Sequence, residues 1–330
     1  MLTGKLPRIP LAHLPTPLEE MPRLSAALGG PRIFMKRDDQ TGLATGGNKT
    51  RKLEFTVGQA LRDGVDTLVT MGGIQSNHCR QTAAAAARND LRCIVVLQGE
   101  RPTQWTGNLL LDRVLGAEVI FSDKGCREQI AEEMSRREAA AGRRALIVPV
   151  GASNAVGAMG FVAAMEELHS QLELRGIAAD RVVFASSSFG TQAGLCLGAK
   201  AMGFRGRLEA VAIDSNIRDL REGVAALSMQ AARLLGLDIT ISPDEILAHD
   251  DYLGGGYAVM GEIEREAIRL VARTEGVLLD PVYTGRAMAG LIDLIRRGSI
   301  AKDETVVFWH TGGSAALHAY GSQLLEGEDP

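Results

Sequence analysis

Short apolar runs alternate with helical patterns along the first half of the chain. The runs predict buried strands at 32–37, 67–70, 93–97, 118–121 and 145–150. Apolar residues at helical spacing predict helices between them, the clearest at 50–62, 109–115 and 129–141. Strands separated by helices of this length pair in parallel through right-handed crossovers. This half of the chain therefore predicts an α/β unit built on a parallel sheet.

A second series of strands follows a glycine-rich stretch at residues 151–160, which marks a predicted domain boundary. Its strands are predicted at 182–185, 208–213 and 305–309. The length of 330 residues exceeds the size at which a single core stops growing, so we expect two doubly wound parallel sheets. Within the second series, residues 242–260 form an irregular segment with several glycines, and long loops of this kind often line sites.

A lysine follows a glycine pair at the start of the predicted helix 50–62. Gly46 and Gly47 allow the backbone to turn sharply, and apolar residues then recur at helical spacing, which places Lys49 in the first turn. A positive charge at this end of a helix opposes the helix dipole. Lys49 is therefore either a solvated surface group or a lysine that loses its charge to chemistry.

A second junction between a strand and a helix carries groups that suit an anion. Ser188, Gly190 and Thr191 follow the predicted strand 182–185 and open a helix. Hydroxyls and exposed amides at a helix N-terminus favour one phosphate, because the dipole and the unpaired N–H groups both attract negative charge. The alternative is that the serines only cap the helix.

A third junction follows the predicted strand 67–70 and contains Gln75, Ser76 and Asn77. Backbone donors together with amide and hydroxyl side chains would fit a carboxylate there, for the same reason as at the second junction. His78 comes next, and it is either a catalytic base or a histidine in the first helical turn that points to solvent.

Two tyrosines, in a chain with only four, stand in loops flanked by glycine. Tyr257 follows three glycines, and Tyr283 belongs to the motif Asp-Pro-Val-Tyr-Thr-Gly at 280–285. Each is either a packed aromatic with a solvated hydroxyl or a side chain that faces a site. Thr311 lies just beyond the predicted strand 305–309, and open parallel sheets bind ligands at the carboxyl ends of their strands. Loops from both halves can therefore face one cleft.

Composition and charge exclude several classes of function. The formal net charge of −4 provides no basic face for nucleic acid or for an anionic membrane surface. The four cysteines are widely separated and no two form a CxxC pair, which indicates neither a metal site nor a disulfide framework. No segment resembles a signal peptide or approaches the roughly 18 apolar residues of a membrane span. We therefore expect a cytoplasmic protein without a metal site.

A nucleoside triphosphatase is a competing enzyme class. Gly42 and Gly47 stand in a G-x-x-x-x-G frame followed by Lys49, and residues 211–214 imitate a Walker B strand. A phosphate-binding loop needs its lysine directly after the second glycine, but Asn48 intervenes here. In addition, no buried strand leads directly into Gly42. A nucleotide hydrolase is therefore the weaker alternative.

Five motifs together resemble a known family. They are Gly-Gly-Asn-Lys-Thr-Arg-Lys-Leu-Glu from residue 46, Gly-Gly-Ile-Gln-Ser-Asn-His from 72, Gly-Thr-Gln-Ala-Gly from 190, Asp-Pro-Val-Tyr-Thr-Gly from 280 and His-Thr-Gly-Gly from 310. In order and spacing they resemble the family of 1-aminocyclopropane-1-carboxylate deaminase and D-cysteine desulfhydrase, over nearly the whole chain. The resemblance implies a pyridoxal-phosphate (PLP) enzyme of fold type II, commonly a homodimer. It also implies a small domain at 49–158, inserted into a large PLP-binding domain formed by 1–48 and 159–330.

The resemblance assigns roles to the residues of these motifs. It implies that Lys49 holds the cofactor covalently and is catalytic, together with Ser76, Tyr257 and Tyr283. The other implied cofactor contacts are those of Asn77, Ser188, Gly190, Thr191 and Thr311. The implied substrate contacts are those of Gln75, Ser76, Asn77, Tyr257, Tyr283 and Thr284.

The implied reaction is β-elimination on a small amino acid. Deaminases that act on the cyclopropane substrate carry Glu where Thr284 stands and Leu where Thr311 stands, so both threonines match the desulfhydrase pattern. This favours D-cysteine as substrate, converted to pyruvate, ammonia and hydrogen sulfide. L-Cysteate sulfo-lyase, which shares the Pro-Thr-Pro-Leu-Glu start at 15–19, and the cyclopropane deaminase remain alternatives. The sequence leaves open which threonine meets the pyridine nitrogen of the cofactor.

Overall fold

The computed structural model describes residues 2–326 of the chain. Its strands are β1 (Leu18–Glu20), β2 (Arg32–Arg37), β3 (Thr67–Gly73), β4 (Arg92–Gln98), β5 (Glu118–Ser122), β6 (Ala145–Val148), β7 (Arg181–Ser186), β8 (Arg207–Ala212), β9 (Leu247–His249) and β10 (Thr305–His310). Its α-helices are α1 (Pro22–Leu28), α2 (Lys49–Arg62), α3 (Asn77–Arg88), α4 (Gly107–Val114), α5 (Arg127–Ala140), α6 (Ala155–Arg175), α7 (Gly190–Met202), α8 (Ile217–Leu235), α9 (Glu262–Glu275), α10 (Thr284–Arg296) and α11 (Gly321–Leu324).

The strands form two sheets. The larger sheet has the order β1-β2-β10-β7-β8-β9, and the smaller has the order β5-β4-β3-β6. Every neighbouring pair is parallel except β1 with β2. The predicted α/β fold with two parallel sheets is therefore confirmed, with one antiparallel strand at the edge of the larger sheet.

Helices cover both faces of the larger sheet, as its apolar strands require. Along β7, Val182 and Phe184 belong to a core formed with α6, α7 and α8, whereas Val183 and Ala185 belong to the core on the other face, formed with α1, α9 and α10. Side chains alternate between the two faces of a strand, so a continuous apolar run fills two cores at once. Full burial of one such side chain contributes about 1.5–3 kcal/mol.

The smaller sheet is covered in the same way. Leu68 on β3 packs in a core with α2, α3 and α4, and its neighbour Val69 packs with α5 on the opposite face. Helix α2 also packs against α6, which covers the larger sheet. Helix α2 therefore lies between the two sheets, and its first residue is Lys49.

The predicted strands all exist, with boundaries that differ by a few residues. The strand predicted at 145–150 ends at Val148, because Pro149 has no N–H to continue the ladder. Two three-residue edge strands, β1 and β9, were not predicted, and β9 lies inside the segment 242–260.

The domain division at residues 49–158 stays a prediction, and its second boundary falls inside α6. No helix within residues 2–326 has both the length and the apolar character needed to cross a membrane.

Candidate active site

Lys49 is positioned by a glycine turn that is tied to the larger sheet. Gly46 and Gly47 have φ values of 71° and 128°, in the region that favours glycine, and α2 begins two residues later. The backbone N–H of Asn48 donates to the Thr311 carbonyl at 2.9 Å, just beyond the end of β10. The Lys49 ammonium donates to Asn48 Oδ1 at 3.0 Å. The predicted position of Lys49 in the first helical turn is confirmed.

The surroundings of Lys49 favour its neutral form. Burial lowers the pKa of Lys49 to about 8, against the opposing effect of the Asp280 carboxylate, and the nearby Arg80 guanidinium lowers it further. An amine with this pKa is largely neutral above pH 8, so it can act as a nucleophile or as a base. Lys49 Nζ also lies 5.9 Å from the centre of the Tyr283 ring.

A cavity of about 220 Å³ opens at the carboxyl ends of strands from both sheets. It brings together most of the residues that the resemblance singled out, namely Lys49, Ser76, Asn77, Ser188, Thr191, Tyr257, Tyr283 and Thr311. Gln75, Gly190 and Thr284 do not line it. The convergence of loops from the two sheets is the arrangement expected of a ligand site in parallel α/β folds.

One end of the cavity is built around the N-terminus of α7. Ser188 Oγ lies 2.9 Å from Ser153 Oγ, and Thr191 Oγ1 accepts a hydrogen bond from Asn48 Nδ2 at 3.0 Å. Gly190 is the first residue of α7, and a Cβ there would collide with Ser153 Oγ. The absence of a side chain keeps this corner open. Hydroxyls at the positive end of a helix form a cradle that suits a phosphate.

Lys52 adds a buried amine to this cradle, and the sequence reasoning missed it. Its Nζ donates to the Gly151 carbonyl and to Ser153 Oγ, both at 3.1 Å, and no ion pair with a carboxylate is found for it within residues 2–326. Burial lowers the pKa of Lys52 well below its ordinary value, and the charge of Lys49 lowers it further. A phosphate in the cradle would give the Lys52 amine an anionic partner and would favour its protonated form. These residues therefore fit the phosphate of PLP.

The N-terminus of α3 forms another wall of the cavity. Ser76 caps the helix, because its Oγ accepts from the Cys79 N–H at 3.2 Å, and Asn77 Oδ1 accepts from Asn108 Nδ2 at 2.8 Å. Gln75 points the other way, since its Oε1 accepts from the Asn108 N–H at 2.8 Å. The predicted substrate contact of Gln75 therefore has no support in this arrangement, whereas Ser76 and Asn77 both face the cavity.

His78 is held between two threonines. Its Nε2 lies 2.7 Å from Thr70 Oγ1, and its Nδ1 lies 3.5 Å from Thr82 Oγ1. Burial lowers the pKa of His78 well below its ordinary value, with smaller contributions from nearby lysines. The ring is therefore neutral and hydrogen-bonded at neutral pH, which differs from both sequence interpretations: it does not point to solvent, and neither nitrogen is free for a substrate.

The two loop tyrosines meet each other at the cavity. Their hydroxyl oxygens lie 2.7 Å apart, and their rings pack edge to face with centres 6.1 Å apart. Burial raises the pKa of Tyr283 well above its ordinary value, and the neighbouring Tyr257 raises it further. The Tyr283 hydroxyl therefore keeps its proton at neutral pH and can donate it.

The two threonines of the desulfhydrase pattern lie in different surroundings. Thr284 is fully buried, and its Oγ1 donates to Asp280 Oδ1 at 2.7 Å and accepts from the Asp280 N–H at 2.8 Å. Thr311 lines the cavity. The predicted substrate contact of Thr284 therefore has no support in this arrangement, because its hydroxyl is already used by Asp280.

Other polar residues that the sequence reasoning did not select also line the cavity, among them Gln98, Arg127 and Asp214. Gln98 is the last residue of β4, and Arg127 and Asp214 follow β5 and β8, so the rule that ligands bind at strand carboxyl ends was the signal that could have found them. No cluster of three or more His, Cys, Asp or Glu side chains suited to a metal ion occurs within residues 2–326.

The chain belongs to the family of pyridoxal-phosphate dependent enzymes, whose pattern matches residues 9–312. It is 44% identical over 327 residues to the D-cysteine desulfhydrase of Klebsiella pneumoniae subsp. pneumoniae, covering 97% of this chain and 98% of that relative. The solved structure of an ACC deaminase homologue is 35% identical, with a TM-score of 0.91 over 98% of this chain and 97% of that one. O-ureido-L-serine synthase, 17% identical with a TM-score of 0.67 over 97% and 94% of the two chains, shares the fold.

The protein is therefore a PLP-dependent enzyme, and the resemblance noted from the motifs is confirmed. The family assignment disfavours the nucleotide hydrolase considered as an alternative. The residues that would hold the cofactor are Lys49 at its aldehyde carbon and Lys52, Ser188, Gly190 and Thr191 around its phosphate.

Proposed function

We propose that the protein eliminates sulfide from D-cysteine. Water and D-cysteine give pyruvate, ammonia and hydrogen sulfide, so the reaction balances without an oxidant or a reductant. The observation that carries the proposal is the position of Thr311 in the cavity, close to Lys49, where a neutral hydroxyl is available to the cofactor ring. The similarity to the Klebsiella D-cysteine desulfhydrase supports the same substrate.

The residues of the cavity suit each part of this reaction. When bound, PLP supplies an electron sink for the negative charge that forms at the substrate α-carbon. The Lys49 amine, with its pKa near 8, accepts the α-proton. Ser76 Oγ and the N-terminus of α3 bind the substrate carboxylate, because that end of the helix attracts an anion. The protonated Tyr283 hydroxyl donates to the departing sulfur.

A neutral partner for the pyridine nitrogen favours substrates with a good leaving group. A carboxylate beside that nitrogen would keep it protonated and make the ring a stronger electron sink. Of the two threonines, we assign this contact to Thr311, because Thr284 Oγ1 is bonded to Asp280. Sulfide leaves readily from the β-carbon, so it does not require the stronger sink that opening a cyclopropane ring demands.

Two other substrates are alternatives within the same class. L-Cysteate carries a sulfonate leaving group, and Arg127 at the cavity provides a positive charge that would attract it. 1-Aminocyclopropane-1-carboxylate is the substrate suggested by the ACC deaminase homologue, but the neutral hydroxyl of Thr311 disfavours it. A panel of D-cysteine, L-cysteine, L-cysteate and the cyclopropane acid, assayed for 2-oxo acid with the purified holoenzyme, separates them by kcat/KM. A preference for any compound other than D-cysteine would overturn the proposal.

We propose further that the enzyme is a cytoplasmic homodimer. The four cysteines are free thiols, which is the usual state in a reducing compartment. The homodimer is what the family resemblance implies, and light scattering coupled to size-exclusion chromatography measures it directly. A measured mass near the monomer value of 35.2 kDa would contradict it.

A further inference from the structure

Arg286 is a fully buried arginine on α10 that takes no part in the proposed reaction. Its guanidinium reaches two backbone carbonyls of the loop that carries Tyr257: Nη1 donates to Gly256 at 3.1 Å, and Nη2 donates to Val259 at 2.8 Å. Nη1 also donates to the Ile213 carbonyl at 3.0 Å. One side chain therefore holds the loop on both sides of Tyr257.

The same residue is fixed relative to Tyr283. Arg286 stands in the first turn of α10, and Tyr283 is the residue that immediately precedes this helix. Both tyrosines of the hydroxyl pair are thus connected through Arg286: Tyr283 along the helix, and Tyr257 through the carbonyls that flank it. The Ile213 contact adds a third segment, which leads into the cavity residue Asp214.

The charge of Arg286 is balanced without involving the cavity. Arg286 Nε donates to Glu264 Oε1 at 2.7 Å, and Glu264 Oε2 accepts from the Gly261 N–H at 2.9 Å, where the loop ends. Both side chains are buried, and each charge has an oppositely charged, hydrogen-bonded partner. Buried charges require such partners. A planar guanidinium can contact four acceptors at once, which no other side chain can do.

The loop needs such support, because its backbone is not relaxed. Ala258 has a φ of 63°, in the left-handed region that an L-residue occupies at a cost. Tyr257 is 41% exposed, so burial alone does not fix its position. A second brace comes from Tyr320, whose hydroxyl donates to the Ala258 carbonyl at 3.1 Å.

We propose that Arg286 is a positioning residue that sets the distance between Tyr257 and Tyr283, and through it the placement of the proton donor at the substrate. This inference rests on the proposed function, in which the tyrosine pair faces the substrate. A loop released from Arg286 would move Tyr257 away from Tyr283 without altering the groups that would hold the cofactor, which lie on α2 and at the start of α7.

The test uses a charge-balanced variant, Arg286→Met with Glu264→Gln, so that no buried charge is left alone. The expected results are several-fold faster hydrogen exchange at residues 253–261 and a kcat about tenfold lower with D-cysteine, since small misplacements of reacting groups are costly. Retained PLP absorbance would show that cofactor binding is intact. Arg296→Met, on the exposed face of the same helix, is the matched control and should change neither exchange in the loop nor kcat.

The Tyr257→Phe background shows whether Arg286 acts through the tyrosine pair. There the double change should still speed exchange in the loop but should not lower kcat further. Equal losses of kcat in both backgrounds, or unchanged exchange in the loop, would overturn the inference. If the double variant does not fold, Arg286→Lys tests the inference by the same measurements. Lysine keeps the positive charge beside Glu264 but has only one nitrogen to hold the loop. A wild-type enzyme inactive on D-cysteine would refute the proposed function, whereas the exchange result stands independently.

Discussion

Arg51 and Asp38 form a buried, two-point ion pair directly behind the helix turn that presents Lys49. Arg51 Nε donates to Asp38 Oδ2 at 2.9 Å, and Nη2 donates to Asp38 Oδ1 at 2.8 Å. Arg51 also contacts Glu167 on α6, which accepts from the buried Lys36 of β2. The cluster joins β2, α2 and α6, so it fixes the start of α2 against the larger sheet.

Replacing Asp38 with Asn should therefore destabilise the fold. The variant leaves Lys36 and Arg51 against the single carboxylate of Glu167, and breaking a buried pair in this way costs about 3–5 kcal/mol. Urea unfolding measures the loss. Glu20→Gln removes an exposed partner of Arg32 and is the control, for which we expect a much smaller change. Equal losses in the two variants would contradict the role of the cluster.

Lys52→Met should weaken the retention of PLP. The substitution removes the buried amine from the phosphate cradle and leaves Ser153, Ser188 and Thr191 in place. A hydrogen bond to a charged group is worth about 1.5–3 kcal/mol, so the dissociation constant should rise by roughly ten- to a hundredfold. Dialysis followed by absorbance measures the cofactor that remains. Lys200→Met, at an exposed ion pair on α7, is the control, and an equal loss of cofactor there would refute the assignment.

The pH dependence of cofactor uptake should follow the deprotonation of the Lys49 amine. Its pKa is lowered to about 8, and only the neutral amine attacks the PLP aldehyde, so the rate should rise with pH through 8 and level off above it. Stopped-flow absorbance of the apoprotein mixed with PLP measures this profile. Borohydride reduction and peptide mapping should then place the label on Lys49. A rate that still rises steeply up to pH 10 would contradict the lowered pKa.

The contrast between Lys49 and Lys52 shows what the sequence can reveal. The glycine pair and the helical pattern are local signals, and they predicted the position of Lys49 in the first turn of α2. The resemblance of the motifs then implied its role. Lys52 lies on the same helix, but its place in the cradle depends on its contacts with Gly151 and Ser153. These residues are about a hundred positions away in the sequence and approach Lys52 only in the folded chain. Its spacing of three from Lys49 places both on one face of α2, and this was the one available hint.

Thr284 shows the opposite case, in which a motif match suggested a contact that the three-dimensional arrangement does not support. The motif 280–285 folds back on itself, because the Asp280 carboxylate accepts from the backbone N–H groups of Val282, Tyr283 and Thr284 at 2.7–2.9 Å. The Thr284 hydroxyl donates to the same carboxylate. Sequence similarity transfers the position of a residue in a motif, but the direction of its side chain depends on these local bonds.

Thr284→Glu is therefore expected not to convert the enzyme into a cyclopropane deaminase. The new carboxylate would stand against Asp280 in a buried site, where two like charges repel, and it would lose both hydrogen bonds of the Thr284 hydroxyl. The pyridine nitrogen would keep Thr311 as its neutral partner, so the electron sink would stay weak. We expect kcat/KM for D-cysteine to fall and to remain above the value for the cyclopropane acid.

Thr284→Ser keeps the hydroxyl and is the control, with activity near that of the wild type. A variant that prefers the cyclopropane acid after Thr284→Glu alone would show that residue 284 reaches the cofactor ring, and that the assignment to Thr311 is wrong.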